Sequence, residues 1–143
     1  MNTFATTHIN VIWVSLALVL VYYAIMTYGM VVKLRLVKRC KAAGERFDRY
    51  SGHYPELLAA DRMQLNTLEH MPPFLVLLWL NALVVGPDSA TLWGGLYVLL
   101  RALYPFFLGT RLRRGFRSRV FWITFPSYGL MILLGVQVGL ALF

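Results

Sequence analysis

Charge is scarce in this chain, and acidic charge is scarcest. Six of the 143 residues are Asp or Glu and fourteen are Lys or Arg, so charged side chains make up 14% against an apolar share of 59%. Soluble domains sit near ~25% charged. A chain this poor in polar side chains cannot clothe a soluble fold of its size, and lipid removes that requirement. Residues 1–32 contain no Asp, Glu, Lys or Arg at all. Cysteine is nearly absent as well: Cys40 stands alone, which excludes an intramolecular disulfide and leaves the redox compartment unread. It sits in a basic segment, and the plain reading is an unremarkable thiol near the membrane surface. His70 has no partner at metal-ligand spacing, so no metal site is expected.

The charge that is present is clustered. Seven basic residues (Lys33, Arg35, Lys38, Arg39, Lys41, Arg46 and Arg49) form one group and five (Arg111, Arg113, Arg114, Arg117 and Arg119) another, leaving Arg62 and Arg101 apart. Both groups flank long apolar segments, so the net charge of +8 points to a membrane surface rather than to nucleic acid. The chain reads as one all-α membrane domain over residues 1–143, a bundle of four transmembrane helices at about 9–34, 56–85, 90–112 and 119–143. The first segment lacks the basic start of a signal peptide and runs straight into Lys33, which makes it a retained helix. The polar stretch from Cys40 to Pro55 reads as a loop, and Gly86-Pro87-Asp88-Ser89 as a tight connection. Four spans place both basic connections on one side, expected to be cytoplasmic, with both termini outside. Barrel strands are excluded, because the apolar segments are too long and continuous.

On the second helix, Arg62, Asn66, Glu69 and Pro73 are spaced by four, three and four, which makes one stripe on a helix. A cation, an amide and an anion thus share a face near the cytoplasmic end of that helix, and in or near a bilayer such side chains turn inward and pair. Two readings stay open for this stripe: a functional site, or a polar network that glues helices together. Gln64 and His70 fall off the stripe, and Gln64 reads equally well as a bundle contact. On the third helix Tyr97, Arg101, Tyr104 and Leu108 share a face. Arg101 lies about two turns inside that helix and needs an anion. Glu69 is the acidic residue expected at its depth. Tyr97 reads as an interfacial anchor. Tyr104 is less readily an anchor and precedes Pro105, where a kink is expected. Arg113 and Arg117 are four apart, and Arg117-Ser118 stands where the fourth helix starts. Ser118 either caps that helix or joins Arg117 in an anion site.

Arg62-x-Gln64-x-Asn66-x-x-Glu69-x-x-Pro72, Arg101-x-x-Tyr104 and Arg113-x-x-x-Arg117-Ser118 together resemble the MAPEG family, the membrane proteins of eicosanoid and glutathione metabolism. The resemblance implies a four-helix protomer assembled as a homotrimer, with glutathione as co-substrate held between subunits. It implies a glutathione-binding set of Lys33, Arg35, Arg62, Gln64, Asn66, Glu69, His70, Arg101 and Tyr104. Arg117 would activate the thiol, with Ser118 as a hydrogen-bond donor to sulfur and Arg113 in reserve. The activity implied is transfer of glutathione to a lipophilic substrate or reduction of a peroxide. Two alternatives are a non-catalytic lipid-binding scaffold of the same fold and a small membrane transporter, although no paired halves or discontinuous helices mark the latter. Two positions depart from the family pattern: Leu108 stands where many members carry tyrosine, and His70 where others carry a different polar or aromatic residue. No eukaryotic retention tail is visible, which makes a bacterial inner membrane the expected location.

Overall fold

A computed structural model describes residues 3–51, 53–111 and 118–143. Every regular element among them is helical: α1 (Thr3–Thr7), α2 (Ile9–Ala42), α3 (Pro55–Val84), α4 (Pro87–Leu108), a 3-10 turn (Ser118–Val120) and α5 (Phe121–Leu142). Helices α2, α3, α4 and α5 are each long and apolar enough to cross a membrane. The chain is an integral multi-pass membrane protein built as a helical bundle.

The ends of these helices follow local chemistry. Helix α2 does not stop near residue 34 but continues through Lys38, Arg39 and Lys41 to Ala42. Lys and Arg are good helix formers, and cations in a last turn oppose the negative end of the helix dipole. Cys40, expected in the loop, therefore lies on the buried face of α2, with Sγ 3.3 Å from the Tyr54 hydroxyl. Gly44 then turns the chain at φ 70, and the Glu45 N–H returns to the Cys40 carbonyl at 2.9 Å. Proline opens both α3 and α4 at the first helical turn, where its missing N–H costs nothing. Pro87 thereby starts α4 ahead of the expected residue 90. The same helix ends at Leu108 rather than 112, where Gly109 adopts φ 78 and its N–H bonds the Pro105 carbonyl at 2.8 Å.

Helices α3 and α4 form the centre of the bundle. Each packs against the other and against both α2 and α5, which flank them on opposite sides. Helix α2 meets the bundle through Val11, Leu18, Ile25 and Val32. Their constant seven-residue spacing is the seam of a helix wound against its neighbours. Near the α3–α4 connection, Phe74, Leu78, Tyr97 and Leu134 pack with Val11 and Leu18 into one apolar cluster. Gly94 permits the close crossing there: a Cβ at that position would lie 2.5 Å from Leu78 Cδ1 and 3.0 Å from Val14 Cγ1. Toward the other end, Ile25, Met63, Tyr104, Leu108 and Ile123 form a second cluster. Val32, Leu36, Leu57 and Ala60 form a third, onto which Phe47 and Tyr54 of the loop fold. Large apolar side chains such as Trp13, Leu20, Val76, Ile132 and Leu140 point outward. They are the faces a bilayer or a second subunit would cover.

Candidate functional site

Among the described residues the most deeply buried charge is Arg101 of α4, with 0% exposure. Its position follows from helix periodicity: Tyr97, Arg101, Tyr104 and Leu108 all face the interior. Nε donates to the Tyr97 hydroxyl at 3.1 Å, and Nη1 donates to Asn66 Oδ1 of α3 at 2.7 Å. The guanidinium carbon also lies 5.2 Å from the Tyr97 ring centroid and 5.9 Å from that of Tyr104, within the range of cation–π attraction. Nη2 is buried without a hydrogen-bond partner among the described residues. A buried guanidinium nitrogen in that state carries an uncompensated desolvation cost.

Glu69 was the expected counter-ion, and the structure replaces it. Arg101 is held by Asn66 and Tyr97, and the ion pairs among the described residues are Arg49–Asp61 and Arg111–Glu56. The reason is rotational: Asn66 and Glu69 share one face, but Asn66 is at its inward edge and half-buried, whereas Arg62, Glu69 and Pro73 are exposed on the protomer. Arg62 and Glu69 nevertheless flank Asn66, the residue that holds Arg101, on the same face of α3. Two prolines add acceptors at the same level. Pro73 has no N–H to give the Glu69 carbonyl, and Pro105 none to give the Arg101 carbonyl.

Tyr97 also departs from its expected role as an interfacial anchor. It is fully buried, accepts from Arg101 and stacks on Phe74 at 3.9 Å between ring centroids. Its position four residues before Arg101 was the available signal. Tyr128 of α5 was missed altogether: its ring meets that of buried His70 edge-on at 4.7 Å. No spacing within α5 marks it, because the contact depends on how α5 crosses α3.

The remaining residues are spread along the basic end. Gln64 turns toward α2, its Oε1 lying 3.9 Å from where a Cβ on Gly29 would sit. Lys33 and Arg35 are exposed near the end of α2, and Lys33 faces the loop formed by residues 46–50. Arg113 and Arg117 lie outside the described residues. Ser118 begins the 3-10 turn, and the cap position of α5 falls on Val120 instead. Arg111, read as simple surface charge, pairs with Glu56 at 2.9 Å and ties the end of α4 to the start of α3.

A buried arginine with one open nitrogen, beside an exposed Arg62 and Glu69, is an arrangement suited to an anionic or zwitterionic ligand. No curated protein matches the chain. The family model of the MAPEG family matches residues 11–137, nearly the whole chain and all of the polar stripe. This protein belongs to the MAPEG family.

Proposed function

We propose that the protein is a glutathione-dependent membrane enzyme, a transferase or peroxidase acting on a lipophilic substrate. The observation that carries this reading is the open Nη2 of Arg101, a fully buried cation with no carboxylate partner among the described residues. Glutathione brings two carboxylates, an ammonium and a thiol. Arg101 and Arg62 would each receive a carboxylate, Glu69 would meet the ammonium, and Asn66 would keep Arg101 aimed. Lys33, Arg35, Gln64, His70 and Tyr104 complete the set that the family resemblance brings.

Arg62 and Glu69 stand exposed on one protomer, on a helix long and apolar enough to cross a membrane, and charges left facing lipid are expensive. A neighbouring subunit laid over this face of α3 would remove that cost, which supports a homotrimer with its sites between subunits. Arg117 would favour the thiolate, with Ser118 donating to sulfur and Arg113 in reserve. A thiol with pKa ~8.5 is mostly protonated at neutral pH, so a guanidinium beside it raises the reactive fraction. In conjugation the thiolate forms a bond to the electrophilic carbon, and that carbon's bond to its leaving group breaks. The basic segments would face the cytoplasm of a bacterial cell, with both termini outside. Labelling a single cysteine at Ser89 in a Cys40→Ala background, from each side of the membrane, tests that sidedness.

The deciding experiment is calorimetric titration of glutathione into the detergent-purified protein, followed by turnover with a panel of electrophiles and hydroperoxides. Binding that is lost in Arg101→Met, together with turnover in the parent, is the expected result. A folded protein that binds no glutathione would leave Arg101 as helix glue and bring the lipid-binding scaffold forward.

A further inference from the structure

The loop after α2 builds a second cationic site, which shares only Lys33 with the glutathione set proposed above. Lys33, Arg46, Phe47, Asp48, Arg49 and Tyr50 line an open surface cavity of about 560 Å³. The loop is held in shape. Phe47 stacks on Tyr54 at 5.3 Å and packs on the cluster of Val32, Leu36, Leu57 and Ala60. Arg49 is steadied by Asp61 at 3.3 Å. The Asp48 carboxylate accepts the Tyr50 N–H at 2.9 Å, and the Asp48 carbonyl accepts from the Ser51 hydroxyl at 3.1 Å. Lys33, Arg46 and Arg49 therefore meet the Asp48 carboxylate, which closes its own turn, and Asp61, which pairs with Arg49, so one positive charge is left in excess.

We propose that this cavity binds the phosphate headgroup of an anionic phospholipid. Charge complementarity supplies the first reason, since the single charge of a phosphodiester offsets the one positive charge left over, with Lys33 and Arg46 free of the Arg49–Asp61 pair. Position supplies the second. Lys33 lies on a membrane-crossing helix, and one turn below it Met30 is 64% exposed, with Tyr23 beyond at 53%. An acyl chain running down that face would find an apolar path directly beneath the cations. Tyr50 is 90% exposed at the rim, the setting in which an aromatic ring with a hydroxyl favours a membrane interface. A soluble anion would use the cations and leave both features without a purpose.

The test uses the full-length protein in nanodiscs of mixed phosphatidylglycerol and phosphatidylcholine, with retained lipid counted by native mass spectrometry after release. Preferential retention of phosphatidylglycerol is expected. Arg46→Gln should lower it about fivefold, the scale of one basic residue near an anionic surface, while Arg46→Lys stays within about twofold. Lys41→Gln, a loss of charge outside the cavity, should also stay within about twofold. Equal losses in Arg46→Gln and Lys41→Gln would mean diffuse surface charge and overturn the site. So would displacement of the lipid by excess inorganic phosphate, or equal retention of the two lipids. None of these readouts involves glutathione, so failure here leaves the enzymatic reading standing, and failure of that reading leaves this one.

Discussion

The bundle carries one polar network toward each end, and the two are built on opposite principles. Near the α3–α4 connection, Asn81 Nδ2 donates to Gln137 Oε1 at 2.9 Å and contacts the Leu134 carbonyl at 3.4 Å, while the Ser89 hydroxyl donates to the same Gln137 oxygen at 3.1 Å. This network is neutral and joins α3, α4 and α5. Toward the basic end, Arg101, Asn66 and Tyr97 join α3 to α4 around a positive charge, next to exposed Arg62 and Glu69. Both networks leave one buried atom open, Asn81 Oδ1 in the first and Arg101 Nη2 in the second. An open amide oxygen is a modest cost, whereas an open guanidinium nitrogen beside further charges invites an anion. Position in the bundle and the charge at its centre therefore distinguish the neutral network from the proposed binding site, although both use the same kinds of amide and hydroxyl groups.

The sharpest way to break this contrast is to remove one amide from each end. Asn66→Leu takes the acceptor from Arg101 Nη1 and should cost about 3 kcal/mol, because the acceptor of a charged, fully buried donor is lost. Asn81→Leu should cost about 0.6 kcal/mol, the usual worth of a neutral interhelical hydrogen bond in a membrane protein. Thermal unfolding of both variants in one detergent compares them directly, and equal losses would erase the distinction. Next in size, Arg117→Ala should lower turnover by one to two orders of magnitude, about 1.4 to 3 kcal/mol, with glutathione affinity almost unchanged. The pH dependence of thiolate absorbance checks the cause. The apparent pKa of bound glutathione should lie below that of the free thiol in the parent and rise in the variant. If Arg113→Ala moves both quantities instead, the reserve assignment is the right one. Smaller again, Arg62→Ala should weaken glutathione binding about tenfold while leaving turnover at saturation within about twofold. A clamped carboxylate is held about equally in the ground and transition states, so loss of turnover without loss of affinity would show that Arg62 acts on the chemistry.

Much of this contrast is legible in single helices. The four-three-four spacing places Arg62, Asn66, Glu69 and Pro73 on one face of α3, and the structure keeps them there. The depth of Arg101 follows from its distance to the ends of α4. The identity of its partner does not follow, because Asn66 and Glu69 lie on that same face about 60° and nearly one turn apart, and the rotation of α3 about its axis chooses between them. Tyr97 was read as an anchor because Tyr is common at interfaces, a local statistic that gave way to packing against Phe74. The extent of α2 was missed because a run of cations resembles a loop, although Lys and Arg sustain a helix when their charges reach water.

The amino-acid sequence by itself determined that the chain lives in a membrane, how many helices cross it and which residues share a face on each. Those properties depend on composition and on the 3.6-residue period, both of which are local. Only the tertiary structure decided that Asn66 rather than Glu69 holds Arg101, that Tyr128 meets His70, and that Lys33 faces Arg46 and Arg49. Each of these pairs joins residues from different elements. Their meeting depends on how closely the helices cross, as at Gly94 where α4 comes up against Leu78 and Val14, and on where Phe47 pins the loop. Packing contacts between distant parts of the chain set those distances, and no periodicity within one helix encodes them.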